Sequence, residues 1–71
     1  MLGEVEALVT DVRQLDVHGV VYVDLTVAYR DRSVASARLG LESVPADLTQ
    51  GERVIVRTVA NMIVAVERPA D

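Results

Sequence analysis

From Val20 to Arg30 apolar and polar side chains trade places at almost every step. Val21, Val23, Leu25, Val27 and Tyr29 fall on one row, and Tyr22, Asp24, Thr26, Ala28 and Arg30 on the other. A period of two over such a run predicts a strand with one face in the core and one in water. Upstream, Val17-His18-Gly19-Val20 places two turn residues, the second a Gly, between apolar positions. That pattern predicts a two-residue hairpin with positive φ, so Val5 to Val17 should run antiparallel to Val20 to Arg30. The first strand changes phase twice, at Val12 and again at Leu15 and Val17, which predicts bulges and a strong coil. A long, coiled first strand can serve both sides of a small closed sheet.

The remaining pattern continues in short pieces. Arg30-Asp31-Arg32-Ser33 reads as a polar turn, and Val34 to Leu41 as a third strand with Ala35, Ala37, Leu39 and Leu41 on one face. Arg53 to Val59 and Met62 to Val66 give two more strands joined at Ala60-Asn61, where Asn tolerates positive φ. Pro69 ends the pattern. Between the third and fourth strands, Pro45 fits the first turn of a helix and Gly51 its stop. Ala46 to Gln50 is therefore expected to make one helical turn that drops Leu48 onto an open barrel end. The expectation is one all-β domain over residues 1–71: a small five-stranded OB-like barrel with a one-turn helical insert between strands 3 and 4. An SH3- or Sm-like barrel is the rival topology.

Composition sharpens this picture. Fifteen residues are Val, with no Phe or Trp and only Tyr22 and Tyr29 as aromatics, so the core is built from small branched pieces that suit a tight barrel. There is no Cys and a single His, so neither a disulfide nor a standard zinc site is expected. No cofactor is expected either. The opening residues lack the basic and apolar regions of a signal peptide, and no run approaches a membrane span, which leads to the expectation of a cytoplasmic protein away from membranes.

The net charge of −4 argues against general nucleic-acid binding. The one basic stretch holds Arg30, Arg32 and Arg38, with Tyr22 on the outer row beside them; these are the candidates for a single-stranded nucleic-acid face. His18 reads as a turn residue rather than a catalyst, with Asp16 placed to bond locally. Glu4 and Glu6 share one strand face, but a calcium site needs a denser set of oxygens, so they read as a solvated outer surface. No phosphate loop, dinucleotide fingerprint or nucleophile elbow is present, and a non-catalytic role is expected.

Leu39-Gly40-Leu41-Glu42-Ser43-Val44, then Leu48, Gly51-Glu52-Arg53-Val54 and Arg57-Thr58, resembles the second half of molbindin and transport-associated OB domains. Gly3-Glu4-Val5 resembles the opening of their first strand. The resemblance covers about half the chain and implies a small OB barrel that oligomerises by sharing strands. It also implies Ser43, Arg57 and Thr58 as candidates to face a molybdate- or tungstate-like oxyanion.

Energetics add a further expectation. A domain this short, without staples, has little stability margin, and its last two strands are apolar on both faces. Ile55, Val59, Ile63 and Ala65 are therefore expected at a homo-oligomer interface, in a module that assembles with its own copies or binds another protein.

Overall fold

The computed structural model describes residues 2–70. Five strands form one antiparallel sheet: β1 (Leu2–Val17), β2 (Val20–Ala28), β3 (Val34–Gly40), β4 (Arg53–Val59) and β5 (Met62–Glu67), in the order β3-β2-β1-β4-β5. β1 is the spine. Its first half pairs with β4, from Leu2↔Val59 to Leu8↔Arg53, and its second half with β2, from Leu8↔Ala28 to Val17↔Val20. One register shift, between Val9 and Asp11, lets the strand turn from one partner to the other. The second phase change expected near Leu15 is not a bulge, because pairing with β2 is regular from Asp11 to Val17.

The core is aliphatic. Ala7, Val9, Val23, Leu25, Val27, Leu39, Val54, Val56 and Val66 are buried, and among the described residues no polar or charged side chain joins them. The inward row of β2 is the one its alternation predicts. With no second layer, the sheet covers this face by curling on itself, and β3 and β5 approach each other without forming a ladder. The sheet curls but does not close.

Both tight hairpins have the expected chemistry. His18 and Gly19 adopt φ of 53° and 83°, and the Gly19 N–H donates to Asp16 Oδ1 at 2.8 Å. Ala60 and Asn61 adopt 50° and 67°. Positive φ at both central residues gives the twist that matches antiparallel strands.

The connection from β3 to β4 differs from expectation. Residues 46–50 are not helical: the helical turn is a short 3-10 segment at Leu41–Ser43, where β3 was expected to end. The chain then crosses the core-facing side of β1 and β2, with Val44 and Leu48 packed against the core beside Val12. At its far end Gly51, at φ 95°, donates its N–H to Val9 O (2.8 Å), and the Val9 N–H donates to Glu52 O (2.9 Å). These two bonds join β4 to the bulge in β1. The segment has two backbone jobs, capping the core and reaching Val9, and five residues of weak helical preference cannot outweigh them.

β5 carries a second bulge. The register moves from Arg57↔Ala65 to Thr58↔Ile63, leaving Val64 without a partner. Ile63 therefore turns toward the core and packs against it, while Ala65 stays opposite Arg57 on the outer side.

Candidate functional site

On the outer face of β1, β4 and β5 the register lines up three rows: Val59 with Met62, Glu4 with Arg57 and Ala65, and Glu6 with Ile55 and Glu67. Arg57 is the hinge of the charges here. Its Nε lies 3.2 Å from Glu4 Oε2 and 3.0 Å from Glu67 Oε1. One guanidinium between two carboxylates leaves the trio net negative, which opposes a second anion. Ser43 and Arg57 do line one shallow hollow beside β5, together with Glu42 and Glu67. Thr58 lies on the opposite face, where its Oγ1 would stand 3.0 Å from a Cβ added at Gly3. The three oxyanion candidates are thus split two and one across the sheet.

The nucleic-acid candidates are also divided. Arg38 Nε donates to Asp24 Oδ1 at 2.8 Å and its Nη2 to Oδ2 at 3.2 Å, a two-pronged pair on the outer face of β2 and β3. The hydrogen bond from Arg38 holds the Asp24 carboxyl below its usual range, and the same bond raises Arg38. Arg13 approaches the same carboxylate at 3.9 Å. Tyr22 sits one row along, between Leu15 of β1 and Gly40 of β3. Arg30 and Arg32 belong to the distant β2–β3 turn, with Arg30 Nη2 3.5 Å from Glu6 Oε1 and Arg32 at φ 74°. Asp31 caps that turn, held below its usual range chiefly by hydrogen bonds from Ser33. Asp24 and Glu6 therefore occupy two of the three candidate guanidiniums.

Of the four interface candidates, Ile55, Val59 and Ala65 occupy outer positions, and Ile63 faces the core because of the bulge at Val64. Met62 and Val64 take its place outside. They are 69% and 42% exposed, and Val59, the partner of Met62, is 39% exposed, so the β4–β5 hairpin presents three apolar side chains to solvent.

Sequence reading missed the most heavily bonded polar cluster. Arg68 Nε donates to Glu52 Oε1 (2.9 Å), and Nη2 to Glu52 Oε2 and Asp47 O (3.3 Å each). The Thr49 N–H and hydroxyl donate to Glu52 Oε2 at 2.7 and 3.1 Å. Arg68 first, then the Thr49 backbone, depress the Glu52 carboxyl to about 2. This clasp ties the chain after β5 to the β3–β4 connection. Its local half was readable, since Thr-x-x-Glu is the spacing at which a hydroxyl and carboxylate exchange bonds with each other's backbone. Its other half, Arg68, lies sixteen residues away and leaves no local mark.

No protein family, curated protein or solved structure is found to match this chain. Among the described residues, no helix is long and apolar enough to cross a membrane, and no group of three or more His, Asp or Glu side chains is placed to hold a metal ion.

Proposed function

We propose that the chain is a small, non-catalytic OB-like barrel, open between β3 and β5, that works as a homo-oligomeric module through the outer side of its β4–β5 hairpin. The strand order, a first strand shared between β2 and β4, and a helical turn between β3 and β4 support the OB-like reading. An SH3-like order would pair β3 with β4, and here they are at opposite sides of β1. The module is placed in the cytoplasm, which its cysteine-free composition suits.

One observation carries the assembly reading: Val59, Met62 and Val64 lie exposed together on a hairpin whose outer strand, β5, has an unpaired edge. Apolar side chains beside an open edge are what a neighbouring subunit covers. The charged neighbours are paired within the chain, since Arg57 bridges Glu4 and Glu67, and the one net negative charge this trio keeps is what the apolar contact has to outweigh. Met62→Glu combined with Val64→Glu should lower the mass in sedimentation while leaving the β-sheet signal of circular dichroism intact. Unchanged mass in that variant would remove this surface from the assembly.

The oxyanion and nucleic-acid readings have weaker support. Arg57 is bracketed by two carboxylates, Arg38 is bound to Asp24, and Arg30 is paired with Glu6. Molybdate, tungstate or sulfate should leave the melting temperature unchanged, and single-stranded oligonucleotides should produce no salt-dependent shift.

A further inference from the structure

The β1–β2 hairpin extends past the end of β3, whose last pairing is Gly40 with Tyr22. In this arm the outer face is apolar where a solvated surface would be polar. Leu15 lies opposite Tyr22 and Val17 opposite Val20, four adjoining side chains, with Val20 52% exposed. Farther along the same face the rows revert to Arg13–Asp24–Arg38 and Asp11–Thr26–Ser36. The other face needs no such cover: Val21 lies opposite Asp16, and Val23, opposite Gln14, already joins the core, so the uncovered apolar side chains are those of the outer face.

We propose that this outer face packs against the same face of a second copy of the chain. The charges bordering the patch select that occupant. Arg13, 75% exposed, reaches only the edge of an Asp24 carboxylate that Arg38 already holds in two places. Glu42 lies on the other side of the patch, where its carboxylate fills the space a side chain at Gly40 would take. Among the described residues Glu42 makes no ion pair. A loosely held cation on the β1 side and an uncommitted anion on the β3 side stand across Tyr22 from each other. A two-fold axis lying in the contact plane near Tyr22 brings Arg13 of each chain to Glu42 of the other. Tyr22 and Val20 of β2 then meet their counterparts near the axis, and Leu15 of each chain faces the Gly40 side of the other, so the contact is self-complementary.

This surface is separate from the β4–β5 side and does not depend on it. Used together, two different self-complementary contacts build a closed tetramer when their axes cross at a right angle, or an open chain when the axes do not meet.

Sedimentation equilibrium of the intact chain and its charge variants tests the arm contact. Arg13→Glu alone and Glu42→Arg alone each set like charges against each other twice, and each should weaken association about tenfold. The double variant restores opposite charges and should return to within about threefold of the parent. Val20→Lys should break the arm contact and leave whatever mass the β4–β5 side supports. In one chain Arg13 and Glu42 make no pair, so a folding defect would not be repaired by combining them. Equal mass for the parent, Val20→Lys and both single charge variants would overturn the proposal, as would a double variant no better than its parts. A parent that Met62→Glu leaves unchanged but Val20→Lys dissociates would retain the arm contact and reject the β4–β5 side.

Discussion

The β3–β4 connection and the β1–β2 arm both lie outside the five-stranded part of the sheet, yet their surfaces are satisfied in opposite ways. The connection is irregular and polar, but it is bound into its own chain: Leu48 and Val44 rest on the core, Gly51 and Glu52 pair with Val9, and Arg68 clasps Glu52. The arm is regular and has correct turn chemistry, but its apolar side chains face outward. Regular secondary structure thus does not guarantee that a segment's surface is satisfied. In a chain this short, the irregular segment caps the core and the regular one leaves apolar side chains in solvent.

Breaking the connection should destabilise each molecule by itself. Gly51→Val places a branched side chain at φ 95° and strains the bond to Val9, costing about 2 kcal/mol in urea unfolding at any protein concentration. Leu48→Ala removes a half-buried anchor and should cost about 1.5 kcal/mol, below the range for fully buried leucines. Val20→Lys on the arm should behave differently, its loss growing with protein concentration because it acts through association. A Val20→Lys loss that is the same at every concentration would erase the contrast between the two regions.

Acid should act on the clasp. Glu52 titrates near 2 in the folded chain against an ordinary 4.5, so its contribution is complete above the ordinary value and is lost as pH falls from about 4.5 toward 2. Glu52→Gln should flatten the stability profile across that window and leave it unchanged near neutrality in slope, though lower in height. The smallest expected effects lie in the hairpin turns. Ala60→Gly relieves a Cβ at φ 50° and should add about 0.5 kcal/mol, and His18→Asn, which gives the favoured Asn-Gly turn, a few tenths.

Much of the sheet was legible in the sequence because its determinants are local. The β2 row from Val21 to Val27 follows from alternation, and the turns at Gly19 and Asn61 from residues that accept positive φ. The long β1 was legible as a coiled strand, although only the shift near Thr10 is a bulge. What failed depended on distant partners. The Pro45 to Gly51 stretch has the punctuation of a helix, but Val9 and Arg68 decide its path. Ile63 reads as an outer residue by parity, and the bulge at Val64 that reverses it has no sequence mark. The candidate sites divided for the same reason: Arg57 and Arg38 look available in the sequence, while the register sets Glu4, Glu67 and Asp24 beside them.

Self-association underlies both proposed contacts, and sedimentation equilibrium of the unaltered chain at micromolar concentration tests it most directly. It predicts a folded species at an integer multiple, two or more, of the chain mass. A folded species at the mass of one chain, unchanged as concentration rises, would contradict it.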